Sequence, residues 1–269
     1  MVFLCNNKKT VLITGAGSGL GMKAAIELAK RGHKVYATTK YYDEAIKLTN
    51  IAEKLDIDIV AFKLDILLEK DREYLKDLKI DVLINNAAIN DSGSVAEIDI
   101  DKIKNVYETN IFSTLKLTQI VLRNMIQRRN GRIVFVSSLY GILNPAFLSP
   151  YSSSKHAIEE LAISLRKELK QLDDTNIDVA VIEPGAYFTG FNQEMILKQY
   201  RCMKEKSYFK SKLRYLKQTQ MIKLNLIEKF NIMPIVKQYI KSVEDYKCKK
   251  RYSKPTIQYI FARIVKIFE

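Results

Sequence analysis

Short β-branched runs alternate along the chain with stretches whose apolar positions recur every three or four residues, the signatures of strands and of helices buried on one face. Strands are predicted over 10–14, 35–39, 57–64, 81–85, 131–137 and 177–182. Helices are predicted over 22–30, 44–55 and 70–78, with a long helical pattern over 100–129 and a further helix reaching about 172. Strand and helix alternating through short connections predict an α/β fold, a doubly wound parallel sheet. Asn110 interrupts the long helical pattern. Asparagine bonds nearby backbone in competition with the helix, so a local distortion is expected there. Residues 190–230 form a long insertion rich in Lys, Tyr, Leu and Met. Pro234 suits the first turn of a helix running to about 246, and 250–252 reads as a short last strand. In the tail, Ile257, Ile260, Phe261, Ile264, Val265 and Phe268 fall at i, i+3, i+4, i+7, i+8 and i+11, one apolar stripe on an amphipathic helix over 255–269. The stripe is expected to pack on the chain's own body or a subunit. A peripheral membrane contact is the other reading, since Arg263 and Lys266 lie on the polar side.

With 269 residues, 47% of them hydrophobic, and only 10 Gly and 5 Pro, the chain can fill one large core, and a single domain over 1–269 is expected. Cys5, Cys202 and Cys248 form no close pair, which argues against a disulfide framework or a zinc site and fits a reducing compartment. No metal is expected. The apolar residues 2–5 are too few for a signal peptide, and no run approaches the ~18 apolar residues of a spanning helix, so a cytoplasmic protein is expected. Charge changes this picture only at the end of the chain. Residues 1–197 carry 25 basic and 25 acidic side chains, whereas 198–269 carry 19 and 5, so the whole surplus of +14 sits in the last quarter. It reads either as lysine-rich solvated faces or as a surface for an anionic partner. Without zinc-finger spacing, a basic heptad region or an aromatic RNA-binding signature, nucleic acid is not the expected partner.

Candidate chemistry begins between the first strand and the first helix, at Gly15-Ala16-Gly17-Ser18-Gly19-Leu20-Gly21. Glycines let backbone N–H groups approach a pyrophosphate while the helix N-terminus faces its charge. A strand before and a helix after are the context of a dinucleotide site. At the end of the second strand, where such folds place an acid for the ribose 2′-hydroxyl, Thr39-Lys40 stands instead. A cation suits a 2′-phosphate, so NADP(H) is preferred, with NAD(H) as the alternative. Asn86-Ala87-Ala88 follows the fourth strand at a C-terminal end, where ligands bind in such sheets. Tyr151 and Lys155 stand four residues apart on one helical face, with Ser138 upstream. A free phenol, with a pKa of about 10, exchanges protons poorly near neutrality, and a fixed cation lowers that value. Tyr151 is therefore a candidate general acid/base. His33 and His156 have no neighbouring ligand cluster and read as structural.

Thr14-Gly15-x-x-x-Gly19-x-Gly21, Asp65, Asn85-Asn86-Ala87, Asn110, Ser138, Tyr151-x-x-x-Lys155 and Pro184-Gly185 follow one another over 14–189. In that order the chain resembles the short-chain dehydrogenases/reductases and, more loosely through its strand-then-tail ending, their hydroxysteroid and retinoid dehydrogenase branch. The resemblance implies a Rossmann sheet of about seven strands and hydride transfer between a nicotinamide and a carbonyl/alcohol pair on a small, apolar substrate. It implies that Asn110, Ser138, Tyr151 and Lys155 are catalytic. Tyr151 would give the proton, Ser138 would bond the oxygen, Lys155 would hold the nicotinamide ribose and Asn110 would anchor a water relay. Cofactor contacts are implied for Gly15, Ser18, Gly19, Leu20, Gly21, Asp65, Asn86, Tyr151, Lys155, Pro184 and Thr189, joined by Lys40. Residues 190–230 would lid the substrate. The family pattern Asn-Asn-Ala-Gly ends here in Ala88, which adds a Cβ beside the cofactor floor. A homo-oligomer, dimer or tetramer, is expected. Two rivals stay open, a 3-oxoacyl-thioester reductase and a regulator that senses NADP(H) without turnover. An intact Ser138, Tyr151 and Lys155 argue against the sensor.

Overall fold

A computed structural model describes residues 8–203 and 206–268. Among them, β1 (Thr10–Ile13), β2 (Lys34–Thr39), β3 (Ile59–Lys63), β4 (Val82–Asn85), β5 (Asn130–Val136), β6 (Asn176–Pro184) and β7 (Arg251–Lys254) form one sheet in the order β3-β2-β1-β4-β5-β6-β7. Every pairing is parallel. Parallel strands covered on both faces read as continuous apolar runs, and Val11, Leu12, Ile13, Val82, Leu83 and Ile84 are accordingly buried in unbroken succession. On one face, α1 (Gly19–Lys30), α2 (Tyr42–Leu55) and α9 (Met233–Glu244) contribute Ala24, Leu28, Leu48, Ile235 and Val243 to the core. On the other, α5 (Thr114–Gln127) and α6 (Ser149–Leu169) contribute Leu117, Val121, Met125, Ile158 and Ala162. The order reverses between β1 and β4. That reversal leaves a crevice at the carboxyl ends of these strands.

Between β3 and β4 the expected helix is a short α3 (Glu69–Glu73) that tightens into a 3₁₀ turn over Tyr74–Asp77. The long pattern over 100–129 is α4 (Ile100–Tyr107), a π-helical turn over Glu108–Ser113, and then α5. The distortion expected at Asn110 lies there. α6 stops at Leu169 rather than near 172. The 190–230 stretch folds as α7 (Phe191–Cys202), a 3₁₀ turn over Lys210–Lys212 and α8 (Leu213–Ile227).

The tail helix, α10 (Thr256–Phe268), corrects one expectation. Apart from the half-buried Val265, its apolar stripe does not pack on the chain's own body: Ile257 is 81% exposed, Phe261 63% and Phe268 84%, while Tyr259 and Ala262 on the other side are buried with Leu139 and Ile142. Gln258 decides the orientation, bonding the Ala186 amide and the Ile227 carbonyl at 2.8 Å each. Residues 1–7, with Cys5, and the side chain of Cys202 lie outside the described residues. No described helix is long and apolar enough to cross a membrane.

Candidate active site

A cleft of about 560 Å3 opens where β1 and β4 part. Its floor is the turn after β1. Gly15 has φ +64°, and a Cβ there would sit 2.7 Å from the Ala87 Cα. At Gly21 a Cβ would lie 2.7 Å from the Gly15 carbonyl oxygen. Backbone meets backbone at both positions, so only glycine fits. Gly19 opens α1, and its missing Cβ would come no nearer than 3.9 Å to Thr189 across the cleft. The Ser18 side chain makes no cap bond. A helix N-terminus bordered by backbone with no side chains in the way fits the pyrophosphate of a dinucleotide. Leu20, Pro184 and Thr189 line the same cleft.

Asn86 ties this cradle to the rest of the fold. Its Nδ2 donates to the carbonyls of Thr14 (2.9 Å) and Gly15 (3.0 Å), and its Oδ1 accepts from the Tyr239 hydroxyl (2.9 Å). Farther along, Lys40 follows β2 at the rim, and Asp65 follows β3, its Oδ1 accepting from the Leu67 amide at 3.0 Å.

The opposite wall carries Ser138, just past β5, and Tyr151 and Lys155 from the first turns of α6. Tyr151 is buried, with the Ser138 hydroxyl beside it. Burial pushes the phenol's pKa up, with the neighbouring Ser138 opposing. The expected lowering by Lys155 is not what sets this value: burial dominates, and the neighbours that act beside it are Ser138, which lowers it, and Tyr140, which raises it. The Lys155 ammonium stands 5.5 Å from the Tyr151 ring centroid and donates to the Val136 carbonyl at 2.8 Å. Its own pKa is brought down to about 8 by burial, with Glu159 opposing. A phenol that keeps its proton can donate it to an alkoxide.

Asn110 stands behind the cleft, whose wall at that point is Thr109. Its Nδ2 donates to the Ile89 carbonyl (2.9 Å) and to Ser154 Oγ (3.0 Å), and its Oδ1 accepts from the Ile89 amide (2.9 Å). Both amide hydrogens are engaged, so the expected water would be held as a donor to Oδ1, which keeps a second lone pair. What it does here is lock the loop after β4 to α6 beside Lys155.

Several cleft residues escape sequence reasoning. Tyr239 reaches in from α9 with no signal beyond its place on an apolar face. Glu44 lines the cleft beneath the glycine turn, where a Cβ on Gly17 would meet its carboxyl carbon at 2.6 Å. An acid thus reaches the cleft from the first turn of α2, where none stands at the end of β2. Behind Lys155, Arg251 bonds both Glu159 and Glu183, and Ser253 bonds Glu183. Burial and the neighbouring Glu183 raise the Glu159 pKa. Around Tyr151, Phe191 (centroids 5.4 Å apart) and Tyr140 (6.4 Å) pack with Leu148 and Met195 into an apolar collar. His33 bonds the Lys9 amide and Glu244 away from the cleft, and His156 lies near the Ser152 carbonyl.

A family model described as short chain dehydrogenase matches residues 9–199. The chain is 35% identical over 190 residues to an uncharacterized oxidoreductase, YusZ, of Bacillus subtilis (strain 168), covering 68% of this chain and 66% of that one. It is 32% identical over 196 residues to retinol dehydrogenase 8 of Bos taurus, covering 70% and 62%. The match spans less than two thirds of either relative's own length. A solved short chain dehydrogenase/reductase from Burkholderia phymatum in complex with NAD shares the fold at a TM-score of 0.80 and 17% identity, covering 95% of this chain and 92% of that one. A short-chain dehydrogenase from Sphingobium yanoikuyae in complex with NADPH does so at 0.74 and 21%, covering 97% and 92%.

Proposed function

The chain belongs to the short-chain dehydrogenase family, and from that premise we propose an oxidoreductase that uses a nicotinamide dinucleotide to interconvert a carbonyl and an alcohol on a small, apolar substrate. The observation that carries this reading is the buried Tyr151, lining one cleft with Ser138 and Lys155 and facing the glycine cradle across it. Gly15, Ser18, Gly19, Leu20 and Gly21 would hold the dinucleotide at α1, with Asp65 and Asn86 along the wall and Pro184 and Thr189 after β6. When bound, it supplies the hydride that reduces the carbonyl carbon. In that direction Tyr151 passes its phenolic proton to the carbonyl oxygen as negative charge develops, and Ser138 donates a hydrogen bond to the same oxygen. Lys155 steadies the phenolate this leaves. In the oxidative direction the same phenolate takes the alcohol proton back. Asn110 is a positioning residue, holding the 89 loop against α6.

NADP(H) in preference to NAD(H) is part of the reading, carried by Lys40 at the rim, with Glu44 opposing it from beneath. The collar of Tyr140, Leu148, Phe191 and Met195 supports an apolar substrate. Because Phe191 and Met195 belong to α7, residues 190–230 are proposed as its lid, within one domain over 1–269. A homo-oligomer in the cytoplasm completes the proposal. The test is NADPH consumption over a panel of hydrophobic ketones, aldehydes and 3-oxoacyl thioesters. Turnover of a ketone or aldehyde that Tyr151→Phe abolishes is the expected result. Turnover of thioesters alone would favour the reductase rival, and cofactor binding with no turnover at all would favour the sensor.

A further inference from the structure

We propose that the outer faces of α8 and α10 together form a docking surface for an anionic lipid bilayer. α10 is seated through Tyr259 and Ala262, and α8 through Leu224. Their opposite sides carry apolar residues into solvent. On α10 these are Ile257, Ile260, Phe261, Ile264 and Phe268, and on α8 Tyr215, Ile222 and Leu226, spaced i, i+7 and i+11. The helices adjoin through Gln258, which donates to the Ile227 carbonyl at the end of α8. At the same junction the exposed rings of Phe188 and Phe230 pack in a tilted pair with centroids 5.1 Å apart. Exposed apolar surface gathered in this way marks an interaction site.

Charge chooses the occupant. Arg214 and Lys223 flank the apolar stripe of α8, Lys229 follows just after it, and all three are exposed; among the described residues none of them makes an ion pair. They belong to the 198–269 stretch, with its 19 basic and 5 acidic residues. A second copy related by a two-fold axis would present the same patch, setting like charges against each other in a desolvated contact. An anionic bilayer accepts both parts of the surface. The apolar side chains sink to the headgroup–acyl boundary while the cations face lipid phosphates. The helices lie in the surface and do not cross it, in keeping with their length and composition. Thr189, Gly190 and Phe191, directly after Phe188, line the cleft. The seated face therefore borders the mouth through which an apolar substrate would enter.

The test is co-sedimentation of the full chain with phosphatidylcholine vesicles, with and without phosphatidylserine, at low and high salt. Binding is expected only to the anionic vesicles, and it should weaken at least tenfold as salt shortens the screening length. Arg214→Gln, Lys223→Gln and Lys229→Gln together should lower affinity on the order of a hundredfold, about fivefold for each cation lost. Phe261→Glu with Ile264→Glu should abolish binding, and because both positions are exposed the melting temperature should hold, which separates lost docking from lost fold. Equal binding to both kinds of vesicle, or none to either, would overturn the proposal. So would a dimer, detected by light scattering, that Phe261→Glu splits into monomers.

Discussion

Replacing Lys155 by methionine should flatten the pH dependence of stability between pH 7 and 10. The ammonium is buried, and its pKa falls from the ordinary 10.5 to about 8, burial being the chief cause and Glu159 opposing. Below pH 8 folded and unfolded chains both carry the proton, and the fold bears the full cost of keeping a cation out of water. Between the two values the folded chain has released the proton while the unfolded chain keeps it, so the unfolded state binds more protons and stability rises with pH. Above 10.5 both are neutral and the cost is gone. At 1.36 kcal/mol per pKa unit the whole effect is about 3 kcal/mol, of which about 2.5 kcal/mol falls between pH 7 and 10. Other groups titrate in the same window, Cys248 and several buried tyrosines among them, so the informative quantity is the difference between wild type and Lys155→Met. Methionine keeps most of the volume. It leaves the Val136 carbonyl without its 2.8 Å donor, a loss that is constant with pH and shifts the curve without tilting it. The assay is urea unfolding of both proteins without cofactor at half-unit pH steps. Parallel curves would refute the argument, because they would mean that Lys155 titrates alike in the folded and unfolded chains.

Tyr151→Phe keeps the ring in its collar and removes only the transferable proton, so cofactor binding should persist while kcat falls about 10²–10⁴-fold; retention of more than about a tenth of kcat would remove Tyr151 from the chemistry. Lys40→Ala should lower, and Glu44→Gln should raise, the ratio of kcat/KM for NADPH over NADH. An unchanged ratio in both would place the 2′-phosphate contact elsewhere. Tyr239→Phe takes the 2.9 Å donor from Oδ1 of the half-buried Asn86, costing about 1 kcal/mol of stability, and should weaken cofactor binding through the loosened cradle. A variant that melts like wild type would show that Asn86 is held by Thr14 and Gly15 alone.

Most of the sheet is legible in the sequence because its strands are buried on both faces and their apolar runs are uninterrupted. The glycine turn is legible for a related reason. Gly15 and Gly21 each sit where backbone lies 2.7 Å from an added Cβ, a condition that shows directly as residue type. Tyr151, Lys155 and Ser138 are near one another in the chain, so spacing alone carries them to one wall. Asn110 is legible as a misfit in its helix, and the π-turn follows from it. Its partner does not, since Ile89 is 21 residues away and nothing in its own composition marks it. Tyr239, Glu44 and the Arg251–Glu159–Glu183 group share that property. Each is an ordinary residue in its own segment and gains a role only from the element it meets.

The tail helix shows where such reasoning stops. Spacing assigns Ile257, Ile260, Phe261, Ile264 and Phe268 to one face, and an apolar face on a helix ordinarily turns inward. Spacing is a property of the helix alone, whereas the side that docks is set by what the helix meets. Here Gln258, one residue off the stripe, finds a donor in the Ala186 amide and an acceptor in the Ile227 carbonyl, and the small Ala262 allows close approach while Tyr259 fills the space beside Leu139 and Ile142. Those contacts fix the helix with its larger apolar side outward. Turning it inward would separate Gln258 from both partners and leave the Ala186 amide and the Ile227 carbonyl without them. The stripe is thus held in water by polar contacts at its flank and by Tyr259 and Ala262 docked on the opposite side, an arrangement whose apolar cost is offset only when something covers it.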